Sequence, residues 1–157
     1  MLTIAIDPGA SGGIAVHYSV TDAILLFKMP ETPRDIFDFM DGLCAIHAPS
    51  ICAVVESIQS GVFGAASDKE VRMKMGMTAK LQKSYNHIEA FLIALGIPFE
   101  SVPAKKWQAH YGAMPKEYAK RKRHIKDLMQ RKHPSIKVIL DTADALGILN
   151  YQLERNK

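Results

Sequence analysis

The sequence predicts an α/β domain: a mixed five-stranded sheet, opening with an antiparallel meander and completed by parallel strands, flanked by helices. Three observations carry that expectation. Three short β-type runs open the chain with only brief turns between them, the pattern of a meander. The run at 51–56, ICAVVE, is apolar without alternation, as expected of a central strand covered on both faces. Beyond it, helical patterns alternate with one more short strand, which is the mark of a sheet layered with helices.

The elements follow in order. Residues 2–7 (LTIAID) form a strand ending in Asp7, and Pro8-Gly9-Ala10-Ser11-Gly12-Gly13 is a tight turn in which glycine takes backbone angles other residues resist. Residues 13–18 (GIAVHY) and 23–28 (AILLFK) are the next strands, separated by the polar turn Val20-Thr21-Asp22. Pro30 and Pro33 break the chain. Over 34–47, Ile36, Phe39, Met40 and Leu43 recur at helical spacing, so this segment is an amphipathic helix. The 51–56 strand ends in Glu56, and 57–66 (SIQSGVFGAA) is a loop of small residues. Residues 67–95 are helical with a break expected near Gly76, and Gly96-Ile97-Pro98 closes that helix. Phe99–Val102 is a short strand, 103–111 a short helix opened by Pro103, 116–132 a basic helix and 138–153 the last helix. No repeat, low-complexity tract or long linker interrupts the series, so residues 1–157 are expected to form a single domain.

Composition excludes several classes. Hydrophobic residues make up 48% and charged residues 23% of 157, the balance of an ordinary soluble domain and not of a disordered chain. The two cysteines, Cys44 and Cys52, read as small buried hydrophobes, so neither a disulfide scaffold nor a zinc module is expected. No apolar run approaches the roughly 20 residues of a membrane span. The N-terminus reads as a first strand and not as a signal peptide. A cytoplasmic setting without membrane attachment is the expectation.

The formal charge of +4 is unevenly spread. Residues 116–133 hold eight basic residues against two acids, so this stretch is +6 and the remainder is −2. A second basic group comprises Lys69, Arg72, Lys74, Lys80 and Lys83, and a third is Lys105-Lys106. Such clustering is the electrostatic footprint of a polyanion, although a solvated helix face would look the same. Lys80, Lys83, Lys105, Lys106, Lys116, Lys120, Arg121 and Arg123 are the expected contacts to such a nucleic-acid partner.

Four carboxylates stand out by position: Asp7 and Glu56 at strand ends, Asp141 and Asp144 three residues apart on one face of the last helix. If the first and fourth strands are parallel neighbours, Asp7 and Glu56 emerge on the same side and the helix can bring the other two to them. Clustered acids repel, and burying them unpaired is costly. Mg²⁺, which prefers oxygen ligands, relieves both problems. Two such ions roughly 4 Å apart would clamp a phosphodiester. Singly, each acid has a plainer reading as a turn opener, a strand-end residue, or a helix cap or first-turn acid; the set of four in this order is far more specific.

The segments Ile4-Ala5-Ile6-Asp7-Pro8-Gly9, Val54-Val55-Glu56 and Asp141-Thr142-Ala143-Asp144-Ala145-Leu146 resemble the active-site motifs of RuvC-like Holliday junction resolvases, within the RNase H-like superfamily. Motif order, spacing and length agree over nearly the whole chain. The resemblance implies an RNase H-like fold and a homodimer that binds four-way DNA junctions in recombination and repair. It implies paired nicks in strands of like polarity, made with two Mg²⁺ (or Mn²⁺) ions per active site. Asp7, Glu56, Asp141 and Asp144 would be the metal ligands. The family also carries lysines near the active site, for which Lys105, Lys106, Lys116 and Lys120 are the candidates. Its aromatic after the central glutamate corresponds to Phe63, between two glycine-bearing segments, which either wedges into DNA or tucks onto the domain.

Other residues have simpler expectations. Trp107 reads as core or interface, His124 as part of a polar face, and Met73, Met75 and Met77 as a helix or dimer contact. Three other functions remain on the sequence: an RNase H-like nuclease for structured RNA such as a ribosomal RNA precursor, an ATP-phosphate site of the actin or sugar-kinase kind, and a catalytically dead junction binder. The second needs a further domain for which 157 residues leave no room, and the third leaves all four acids unexplained.

Overall fold

Period-two alternation in the first strand separates the chain's two faces. Leu2, Ile4 and Ile6 point one way and Thr3, Ala5 and Asp7 the other. The computed structural model describes residues 1–47, 50–58 and 67–155, and Phe63 lies outside them. Its elements are β1 (Leu2–Asp7), β2 (Gly13–Tyr18), β3 (Ala23–Lys28), α1 (Pro33–His47), β4 (Ile51–Ser57), α2 (Asp68–Ala94), β5 (Phe99–Pro103), α3 (Ala104–Ala109), α4 (Tyr118–Lys132) and α5 (Leu140–Arg155). The sheet runs β3-β2-β1-β4-β5. β1–β2 and β2–β3 pair antiparallel, while β1–β4 and β4–β5 pair parallel. The expected mixed sheet is present, with β1 and β4 as parallel neighbours.

Each face of the sheet carries its own core. Ile4, Ile6, Ile14, Val16 and Val55 pack with Ile36 and Met40 of α1 and Ile88 and Leu92 of α2. The opposite face presents the smaller Ala5, Ala15 and Val54 to Trp107 of α3, Ile125 and Met129 of α4, and Leu146 and Leu149 of α5. Small strand residues let α5 lie close to the sheet. A Cβ on Gly13 would stand 2.6 Å from the Asp141 carbonyl oxygen and 3.1 Å from Thr142 Cα, so that approach exists only with glycine there. Residues 142–151 of α5 are buried throughout, which makes it the central helix of this layer.

Some boundaries differ from expectation. α2 continues unbroken through Gly76, where no atom would meet an added Cβ. One exposed glycine costs a helix about 1 kcal/mol, too little to break this one, whose N-cap Ser67 hydroxyl accepts from the Glu70 N–H at 3.3 Å. α4 starts at Tyr118 and α5 spans Leu140–Arg155, both displaced about two residues from the sequence pattern, an ordinary uncertainty of helix ends. Cys44 and Cys52 are free but half-buried, not enclosed. Met73, Met75 and Met77 are exposed. Among the described residues no helix is long and apolar enough to cross a membrane.

The Gly13 contact is directly testable. Gly13→Ala should lower unfolding free energy in urea by about 1–3 kcal/mol, the usual cost of overpacking a rigid site. An unchanged midpoint would mean that α5 is free to shift.

Candidate active site

Strand alternation and parallel pairing place the first two acids. Ile6 aligns with Val55 across the β1–β4 pair, so Asp7 and Glu56 leave the carboxyl ends of adjacent strands. The turn after β1 folds tightly back on Asp7: the Gly12 N–H donates to the Gly9 carbonyl at 3.0 Å, and a Cβ on Gly12 would fall 2.0 Å from the Asp7 carbonyl oxygen. α5 brings Asp144 in its second turn, and α4 brings Lys122. Asp7, Glu56, Asp144, Lys122, Arg121 and Tyr118 line one cleft of about 180 Å³ with Ser11, Gly12 and Gln108 among its other walls.

The electrostatics are dominated by burial. Asp7 and Asp144 are each more than nine-tenths buried. Burial, with repulsion from Glu56 and Asp144, pushes the Asp7 carboxyl up to about 8 against the pull of Lys122. Burial likewise raises Glu56, to about 7; the Trp107 indole N–H, donating to Glu56 Oε2 at 2.8 Å, opposes the rise. The Lys122 ammonium lies 3.4 Å from Asp7 Oδ2 and also contacts Asp144 Oδ2. Burial works against its charge, yet Asp7 and Asp144 outweigh that and raise its pKa. The protonated Lys122 thus lies between the carboxyl groups of Asp7 and Asp144. Trp107 is itself fixed by close packing, since a Cβ on Gly147 of α5 would be 2.8 Å from its ring.

The chemistry of the donor atoms suits a hard divalent cation. The donors are all carboxylate oxygens, and Asp144 Oδ1 is buried without a hydrogen-bond partner, an arrangement that leaves a lone pair for a cation. Among the described residues no three acidic, histidine or cysteine side chains already stand close enough together to hold an ion; between Asp7 and Asp144 the cation is the Lys122 ammonium.

Among solved structures, the chain is similar to RuvC from Thermus thermophilus in complex with a Holliday junction substrate, at 14% identity and a TM-score of 0.57 over 99% of this chain and 96% of that one. A second Thermus thermophilus RuvC structure matches at 12% identity and a TM-score of 0.50, over 99% and 97%. The fold is RuvC-like. No family model matches the chain, and no curated protein matches its sequence.

On this RuvC-like scaffold the expected site residues divide. Asp7, Glu56 and Asp144 share the cleft. Asp141 does not line it. Its carboxylate pairs with Lys28 of β3 at 3.0 Å and lines an adjoining cleft with Ser11, Tyr118, Lys122 and Arg123. Arg121 borders the acids, whereas Lys120 pairs with Glu117 at 2.8 Å and Lys116 is exposed ahead of α4. Lys105 and Lys106 are exposed on α3. Lys80 and Lys83 of α2 border a separate groove behind the Gly9 turn. Three residues of the site were not among the expected site residues: Lys122, Trp107 and Tyr118. Lys122 had a signal, because it precedes buried Ile125 and Met129 at helical spacing and therefore belongs to the inward stripe of α4.

The raised carboxyls give a signed pH dependence. Well below pH 4, Asp7 is protonated whether folded or not; as pH rises through the ordinary carboxylate range, the unfolded chain releases its proton first, so this group's contribution to stability is lost progressively up to about 8. In chelator, the gain of Asp7→Asn over wild type in thermal denaturation should therefore be smallest near pH 3 and grow up to pH 8, by about 2–4 °C per kcal/mol of relieved repulsion. A variant less stable than wild type at pH 8 would show that the acid is not strained.

Proposed function

We propose that this chain is a metal-dependent endodeoxyribonuclease that resolves four-way DNA junctions by paired, symmetric nicks, working as a homodimer. The observation that carries the reading is the meeting of Asp7, Glu56 and Asp144 around Lys122 in one cleft at the carboxyl ends of β1 and β4. The likeness of fold to a RuvC bound to a Holliday junction supports the substrate class.

Asp7, Glu56 and Asp144 would hold the metal, with Asp141, one turn earlier on α5, as the fourth donor implied by the sequence motif. When bound, divalent ions would supply phosphate neutralisation and an activated attacking water. The protein's own groups do the rest. Trp107 fixes the orientation of Glu56 through the 2.8 Å indole hydrogen bond. Lys122, drawn off the acids once their charge is met, presents an ammonium to the phosphate. Arg121 and Arg123 on α4 each line one of the two adjoining clefts, and Lys28 on β3 pairs with Asp141 at the second; these cations would position the backbone, since such contacts fix register and not sequence. Paired nicks call for two active sites, hence a symmetric dimer.

Incubating the protein with a labelled immobile four-way junction tests this. Wild type should nick opposing strands only with Mg²⁺ or Mn²⁺, while Asp7→Asn should bind the junction as well and cleave it at least about 10²–10³-fold more slowly. Cleavage in chelator, or preference for structured RNA over the junction, would overturn the reading. Sedimentation of the DNA-bound protein as a single copy would refute the dimer.

A further inference from the structure

Among the described residues, Tyr118 is the one Phe, Tyr or Trp that is mainly exposed, at 62%. The other aromatic rings are buried or half-buried. Its position is not a random point on the surface. Tyr118 is the first residue of α4 and borders both the acid cleft and the adjoining cleft of about 260 Å³, which also share Ser11 and Lys122. The Arg121 guanidinium lies 5.7 Å from the ring centroid and donates to the Pro115 and Lys116 carbonyls at 3.4 and 3.3 Å. Arg121 thus backs the ring on one side and is itself tied to the loop before α4, while the 62% exposure leaves another side open. An aromatic face in water, backed by a cation and bordered by Arg123 and Lys122, has the chemistry that takes up a nucleobase beside its phosphate.

We infer that Tyr118 stacks on the nucleobase next to the scissile phosphate, so that the acid cleft receives the phosphodiester and the adjoining cleft receives the flanking base. The inference rests on the nuclease reading and names a subsite of it. Tyr118 is a positioning residue: it touches a base, not the reacting phosphate. Stacking is available to every base, so this contact strengthens binding and sets register without imposing a strict sequence.

The test compares full-length wild type with Tyr118→Phe, Tyr118→Trp and Tyr118→Leu on junctions carrying 2-aminopurine beside the mapped nick. Binding is followed in chelator and nicking in Mg²⁺. Phe and Trp should retain both junction affinity and quenching of the 2-aminopurine fluorescence. Leu, apolar but without a π face, should lose the quenching and bind about 5- to 150-fold more weakly. If Leu matches Phe in affinity and quenching while wild type nicks the junction, the stacking role is wrong and the nuclease reading stands. If wild type neither binds nor nicks the junction, the nuclease reading falls and this subsite falls with it.

Discussion

Three carboxylates pressed into one cleft need positive charge, and the rest of the molecule is arranged around that need. Lys122 supplies one ammonium between Asp7 and Asp144, and Arg121 adds attraction at Glu56. The balance is incomplete: Asp7 and Glu56 are still raised to about 8 and about 7, so the pair shares its protons near neutral pH as a coupled set. Strained acids of this kind mark functional sites more often than structural ones. On the proposed reading, the same imbalance that costs stability in the free chain is what would draw in a divalent cation and, behind it, a phosphate.

The scaffold holds that strained arrangement in place. Parallel pairing of β1 and β4 brings two acids to adjacent strand ends, and Gly13 lets α5 come close enough to add the third. Trp107 connects the layers, packed on α5 at Gly147 and hydrogen-bonded to Glu56. Few of these parts are exchangeable, because each depends on a close approach or a buried hydrogen bond. By contrast, surface pairs such as Lys28–Asp141 and Lys120–Glu117 contribute about 0–1 kcal/mol and leave those lysines free to turn to another anion.

Much of the fold was legible because the hydrophobic periods are strong. The opening meander, the two-faced strand at 51–56 and the helices at 34–47 and 67–95 follow from local pattern, and the strand-end positions of Asp7 and Glu56 follow with them. Asp144 could be read from its apolar neighbours Ala143, Ala145 and Leu146, all buried. The direction of Asp141 could not, because the residue that engages it, Lys28, lies on a strand over a hundred positions earlier. Lys122 was hidden by company: within a run of four consecutive basic residues its inward direction shows only when Ile125 and Met129 are read as the buried stripe. Tyr118 carried no signal, since exposure at a cleft mouth is a tertiary property.

The most direct measurement is a carbon-detected NMR titration of the Asp7 and Glu56 carboxyl groups without and with Mg²⁺. Without metal, the pair should titrate well above the ordinary carboxylate range, because burial and repulsion from neighbouring acids raise both groups; with saturating Mg²⁺, both should move well below 5, since a bound cation favours the ionised form. Ordinary carboxylate titration near pH 4 in both conditions would contradict the account.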